Sequence, residues 1–239
     1  NEALQVTYLN LSNSSINNLT GLDFFINLND LNISENYSFS SFYFPTLVSL
    51  INLDCSRNNI SSLDATIYSN LNKLLCGENI LTELDVSGLE NLTIVNCRYN
   101  LLTNLDFSTN PNFIYLGCEG NNNLQSINVK NNKNQITLPN LDVVEEIDFW
   151  GNNPSLSYVC ADEEEIELIQ NQLSNPSGPF NNSVSLNSYC SFTPGGAYYT
   201  IHGVNQLDIN NNGCDSSDLN FPSLQFLIND GISGSFISN

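Results

Sequence analysis

Four stretches of the chain share one frame: LINLDCSRNNISSLD from Leu50, LNKLLCGENILTELDV from Leu71, LTIVNCRYNLLTNLDF from Leu92 and FIYLGCEGNNNLQSINV from Phe113. Their cysteines, Cys55, Cys76, Cys97 and Cys118, fall at intervals of twenty-one residues, and a fixed period of this size marks a stacked repeat. The shared pattern is L-x-x-L-x-C-x-x-N-x-L-x-x-L. Two earlier units, VTYLNLSNSSINNL from Val6 and LNDLNISENYSF from Leu28, carry Leu or Ile in place of Cys, and a later one, VEEIDFWGNNPSL, starts at Val144 after a longer connection. Each unit supplies one short strand whose fourth and sixth positions point inward, followed by a turn whose Asn side chain can bond backbone groups that the turn leaves unpaired. Asn36, Asn58, Asn79, Asn100, Asn121 and Asn152 form that column. A single unit cannot bury its own apolar face, so stability comes from stacking on its neighbours.

The pattern resembles the leucine-rich repeat, matched in about seven units over residues 5 to 160. The resemblance implies an α/β solenoid with a parallel sheet on the concave face, a mostly irregular convex side and a capped C-terminal end. The cysteine column shares its position with Leu11, Ile33 and Phe149, which reads as apolar packing, because ladder residues are spread along an axis and do not converge as metal ligands must.

Alternation along each strand sends its third, fifth and seventh positions to the concave face. Tyr115, Glu146 and Trp150, the only tryptophan, fall there, and planar aromatic groups are enriched in binding hot spots. Lys73 and Arg98 fall there too, with Arg57 at the next position of its strand, so three of the chain's five basic residues gather on successive strands. Two readings stand side by side. These cations neutralise Asp54, Glu78 and Glu119 across the ladder, or they belong to a ligand patch made of Arg57, Lys73, Arg98, Tyr115, Glu146 and Trp150.

After Cys160 the repeat gives way to ADEEEIELIQNQL, with Asp162 placed as an N-cap, acids in the first turn, and Ile166, Leu168, Ile169 and Leu173 as an apolar face. A capping helix is expected. Cys160 and Cys190 bracket this cap, and a disulfide between them would staple it in an oxidising compartment. The chain is therefore read as a solenoid over residues 1–160, a cap over 161–190, a linker over 191–198 and a partial β-sandwich module over 199–239. In the last part, alternation in Tyr199 to Leu207 and Leu224 to Ile228 suggests strands.

The loop between them, D-x-N-x-N-G-C-D-x-x-D, resembles calcium loops of transthyretin-like modules such as the B-repeats of Gram-positive surface adhesins. That resemblance implies calcium held by Asp208, Asn210, Asn212, Asp215 and Asp218 with the Cys214 carbonyl, since alternate oxygen donors before a glycine suit a hard cation. The bland alternative is an Asn/Asp-rich turn without metal. Some 40 residues after the linker are too few to close such a sandwich, so the chain is expected to end inside it. Cys-bearing repeats followed by CSFTPGG and this loop resemble Bacteroidota (Flavobacterium-like) surface proteins exported by the type IX secretion system, which implies a secreted or outer-membrane-surface location.

The formal charge of −20 with hydrophobic content of 41% describes an acidic folded surface, which repels phosphate polyanions and anionic bilayers. Nucleic acid and membrane insertion are thereby poor expectations, and no run of about 18 apolar residues is present. The opening NEALQVTY carries no signal-peptide pattern, as in a mature secreted protein whose leader has been removed. His202, the only histidine, stands in a predicted strand without a triad motif, and Glu145 and Glu146 are adjacent on a strand and so face opposite ways. The sequence thus reads as a non-catalytic surface recognition or adhesion module for a protein, peptide or glycan. Its alternative is an accessory part of a larger outer-membrane uptake complex or surface hydrolase.

Overall fold

Three residues per strand suffice here because the strand's middle residue is apolar and buried in every coil of the six-stranded sheet from the second on. Leu31, Leu53, Leu74, Val95 and Leu116 are buried at the strand centres, and two residues on, Ile33, Cys55, Cys76, Cys97 and Cys118 are buried as well. The in-out-in alternation of a pleated strand produces this pattern. A computed structural model describes residues 2–40, 44–132, 151, 153–173, 184–188, 190, 206–207, 219–220, 225–228 and 234–237. The chain divides into two units, Asn1–Pro194 and Gly195–Asn239.

In the first unit, strands β1 (Tyr8–Asn10), β2 (Asp30–Asn32), β3 (Asn52–Asp54), β4 (Lys73–Leu75), β5 (Ile94–Asn96) and β7 (Tyr115–Gly117) form one parallel six-stranded sheet in the order β1-β2-β3-β4-β5-β7. The other side of the coils, expected from the repeat pattern to be mostly irregular, carries a second parallel sheet. It contains β6 (Asn104–Asp106), β8 (Ser126–Asn128), β9 (Tyr158–Cys160) and β10 (Ser185–Asn187), ordered β10-β9-β8-β6, and a lone bridge between Asp64 and Asp85 continues its line into earlier coils. The same alternation explains it: Leu105 and Phe107, Ile127 and Val129, Val159 and Ala161 point inward around an outward residue. The fold is a parallel β-solenoid of leucine-rich-repeat type, one coil per repeat.

Asparagine side chains stitch the coils together. Asn79 donates from its amide to the carbonyls of Cys55, Cys76 and Gly77 and accepts from the Ile60 N–H at 3.0 Å. Asn36, Asn58, Asn100 and Asn121 repeat the arrangement. The rung that the sequence reading gave to Asn152 is held by Asn153, whose carbonyl accepts the Asn121 N–H at 2.9 Å. The residue before each rung turns left-handed, with φ of 58° at Glu35, 56° at Arg57 and Glu78, 50° at Tyr99 and 74° at Gly120. At Gly120 the requirement is double, because a Cβ there would also fall within the ring of Tyr99.

The second turn has a column of its own, in which the Asn131 side chain donates to the Asn110 carbonyl at 3.1 Å and its backbone N–H donates to the carboxylate of Asp162 at 3.0 Å. Asp162 is therefore a buried rung. It makes no side-chain cap bond to the short 3-10 turn Glu163–Glu165 and helix α1 (Ile166–Leu173) that follow it. Of the apolar face expected on that helix, Ile169 is buried, Ile166 and Leu173 are half-buried, and Leu168 is exposed. A disulfide joins Cys160 in β9 to Cys190 just beyond β10, with Cα atoms 5.3 Å apart.

The second unit contains two antiparallel pairs, β11 (Gln206–Leu207) with β12 (Leu219–Asn220) and β13 (Gln225–Ile228) with β14 (Gly234–Ile237). The proposed calcium ligands Asp208, Asn210, Asn212, Cys214, Asp215 and Asp218 lie outside the described residues, as do His202 and the linker 191–198.

Candidate functional site

In-register pairing turns the outward positions of the six-stranded sheet into two rows. One runs Tyr8, Asp30, Asn52, Lys73, Ile94, Tyr115, and the other Asn10, Asn32, Asp54, Leu75, Asn96, Gly117. Polar groups and the Tyr8 ring occupy the β1–β4 end of both rows except at Leu75, which stands in the second row on β4. There a depression of about 300 Å³ is lined by Tyr8, Asp30, Asn32, Asn52, Asp54 and Lys73. Tyr8 is 62% exposed at its edge.

Each carboxylate in this depression is held by a neighbour. The Asn52 amide donates to Asp30 at 2.5 Å, and Ser56 donates to one oxygen of Asp54 from both its backbone N–H, at 3.0 Å, and its hydroxyl, at 2.6 Å. Lys73, on β4 next to the strand of Asp54 and two strands from Asp30, has no hydrogen bond or ion pair among the described residues.

The rest of the expected patch is arranged differently. Arg57 occupies a left-handed turn position past the end of β3, which swings its side chain off the two rows and along the sheet's C-terminal edge. Its guanidinium pairs with Glu35 at 2.9 Å and Glu78 at 3.1 Å, and Arg98 reaches Glu78 at 3.3 Å. The hydrogen bonds that Arg57 donates to Glu78 and then to Glu35 raise its pKa. Two of the three clustered cations are thus partners in an alternating Glu35–Arg57–Glu78–Arg98 ladder. Neutralisation is the reading that fits them, through Glu35 and Glu78 instead of Asp54. Glu119 is taken instead by the Tyr99 hydroxyl, at 2.9 Å, and that bond pushes the Tyr99 phenol above its ordinary pKa.

Tyr115 lies on the outward row but is only 7% exposed, its hydroxyl lying over Gly117 where a side chain would begin. Burial pushes its phenol up. It is not the exposed anchor expected of it. Glu146 and Trp150 lie outside the described residues.

The second sheet offers a groove that the sequence reading missed, about 350 Å³ between Asn104, Asp106, Ser126, Asn128, Tyr158 and Cys190. Its polar groups largely satisfy one another: Ser126 donates to Asn104 at 2.7 Å, Tyr158 donates to Asn187 at 2.9 Å, and Lys130 donates to the Ser188 carbonyl at 2.6 Å. The sequence signal was the recurrence of Leu84-Asp85, Leu105-Asp106 and Ile127-Asn128 at nearly the coil period.

The four column cysteines are free and fully buried. Burial, and secondarily the neighbouring thiol of the column, pushes Cys55, Cys76 and Cys97 well above the ordinary thiol pKa, and Cys118 rises to about 12. Alkylation of the native, unreduced protein at pH 8 is accordingly expected to leave all four unmodified, and peptide mapping after unfolding should recover them as free thiols beside one linked pair, Cys160 with Cys190. Labelling of any column thiol at a rate like that of an exposed cysteine would contradict their burial. Among the described residues no group of three His, Cys, Asp or Glu side chains is arranged to hold a metal ion.

No protein-family model matches the chain, and no curated protein matches it. Solved structures do. The functional domain of InlJ from Listeria monocytogenes, which includes a cysteine ladder, is 29% identical with a TM-score of 0.36, over 67% of this chain and 31% of that one. A leucine-rich-repeat protein of Leptospira interrogans is 20% identical, TM-score 0.39, over 64% and 37%. An internalin (inlF) of Listeria monocytogenes is 15% identical, TM-score 0.39, over 75% and 53%. The chain spans between about a third and a half of the length of these proteins.

Proposed function

We propose that this chain is a non-catalytic recognition module that binds a partner protein on the outward face of the six-stranded sheet, at its β1–β4 end. The carrying observation is the depression in which an exposed aromatic ring, Tyr8, and an unpaired ammonium, Lys73, share a surface with two fixed carboxylates. Binding hot spots combine aromatic anchors with charges that meet a partner group on association. A disulfide within the solenoid fits an oxidising compartment, and among the described residues no helix is long and apolar enough to cross a membrane. Secretion to a bacterial surface by the type IX route, and calcium in the second unit, rest on the sequence resemblance and belong to the same proposal. So does the alternative, a non-catalytic part of a larger surface machine.

The test captures partners from cell envelopes with the solenoid as bait and then measures the identified partner against variants. Tyr8→Ala and Lys73→Ala are each expected to weaken it by more than about 1 kcal/mol, as truncated hot-spot residues do, without a matching loss of stability. Ser87→Ala, on the other side of the coil, should be silent. If Tyr8 and Lys73 are silent while Asn104→Ala and Ser126→Ala weaken binding, the second sheet is the recognition face.

A further inference from the structure

The described cations separate cleanly by what they touch. Arg57 and Arg98 pair with glutamates, and Lys130 donates to a backbone carbonyl. Lys73 does none of this, although Asp30 stands two strands away in its own row and Asp54 stands on the adjoining strand in the next row. Both carboxylates are instead held by Asn52 and Ser56, which fixes them in place while leaving further acceptor capacity on each. In a chain of net charge −20, nearby acids would ordinarily draw in a solvated lysine. One left unpaired on the strand beyond those of two anchored carboxylates is prepared for an anion from outside, and the carboxylates for a cation.

Resting on the reading that this face binds a partner protein, we infer that the depression takes an extended segment carrying one acidic and one basic side chain, laid across the strands with the acid on Lys73 and the base on Asp30. Neighbouring strands are about 4.8 Å apart, so the backbones of Asp30 and Lys73 are separated by about 10 Å. A polyproline II segment returns to the same side every three residues, a rise of about 9.3 Å. A β-strand returns at even residues only, about 7 or 14 Å, and misses the spacing. Tyr8, next in the row beyond Asp30, adds an exposed ring of the kind on which proline-rich segments dock. Among the described residues the β5–β7 end of the same face offers nothing equivalent, because Tyr115 and Gly117 are buried and Arg98 is paired.

The test titrates the full chain with proline-rich heptapeptides containing Arg-Pro-Pro-Glu or Glu-Pro-Pro-Arg, and with controls in which Gln replaces either charge. Binding is read from the side-chain NMR signals of Asn52 and Lys73. One of the two doubly charged peptides should bind about fivefold more tightly than both controls, near the upper range for an exposed ion pair, and should lose that margin at high salt. In a Lys73→Glu chain the preference should pass to a further heptapeptide, one containing Arg-Pro-Pro-Arg. Equal binding of the Gln controls, an unchanged ranking in Lys73→Glu, or no perturbation of Asn52 and Lys73 by any peptide would each overturn the inference. None of these outcomes decides whether the sheet is the recognition face, which is read separately from Tyr8→Ala on the captured partner.

Discussion

Replacing Asn100 by Leu is expected to cost about 4 to 6 kcal/mol, a large fraction of the ordinary domain stability of about 5 to 15 kcal/mol. The side chain is buried, its amide donates to the carbonyls of Cys76 at 3.1 Å, Cys97 at 3.0 Å and Arg98 at 3.3 Å, and its oxygen accepts the Leu81 N–H at 2.9 Å. These backbone groups belong to two consecutive coils; the Arg98 carbonyl also accepts the Glu78 N–H at 2.7 Å, whereas the Cys76 and Cys97 carbonyls depend on side-chain amides, that of Asn100 among them, and the Leu81 N–H depends on Asn100. Leucine has similar bulk, so the void is small and the loss falls on unpaired buried groups, each costing about 1 to 3 kcal/mol. Because each coil touches only its neighbours, a failed rung also uncouples the coils on either side. Cys97→Ala in the same coil removes one buried sulfur and no hydrogen-bonding function, and should cost far less. Urea unfolding of the two variants decides the matter. A loss for Asn100→Leu no larger than that for Cys97→Ala would show that the rungs are incidental.

The repeat was legible because the interval between Cys55, Cys76, Cys97 and Cys118 is constant and the residue at each fixed offset has one chemical character. Four strands of the six-stranded sheet, β3, β4, β5 and β7, follow from that interval, and β1 and β2 follow from Leu11 and Ile33 at the same place in the frame. The second sheet did not, for a physical reason: its strands are three residues long, and Leu105-Asp106-Phe107 contains too little alternation to tell a strand from a turn. Positions at the turns were misread where backbone conformation governs direction. Arg57 counts as a strand neighbour in sequence, but a left-handed backbone at that residue sends it along the sheet edge to Glu35 and Glu78. Asp162 looked like an N-cap because acids follow it, yet the column Asn110–Asn131 ended in need of an acceptor and took its carboxylate. Tyr115 was placed on the correct row, and its burial depends on the absence of a side chain at Gly117, which strand periodicity does not report.

The column thiols should also make the protein unusually sensitive to alkali. In the folded chain, burial raises all four above the ordinary value, with Cys118 at about 12, while in the unfolded chain each titrates near 8.5. A raised folded pKa contributes stability that is fully present below the unfolded pKa and is lost as pH climbs toward the folded one, because the unfolded state releases protons that the folded state retains. Each thiol then removes about 1.4 kcal/mol per pH unit, so four acting together give a slope on the order of 5 kcal/mol per unit once pH exceeds about 9. The buried tyrosines add to this only above about 10, where the free phenol begins to ionise. The urea midpoint should therefore be flat from about pH 6 to 8 and collapse between about 9 and 10.5. A Cys76→Val, Cys97→Val double variant isolates the cause, since it removes two of the four titrating groups without adding polar atoms, and its slope should be about half as steep. A midpoint that stays level to pH 10.5, or a double variant that collapses as steeply as the parent, would mean that the thiols ionise in the folded solenoid as readily as in solution.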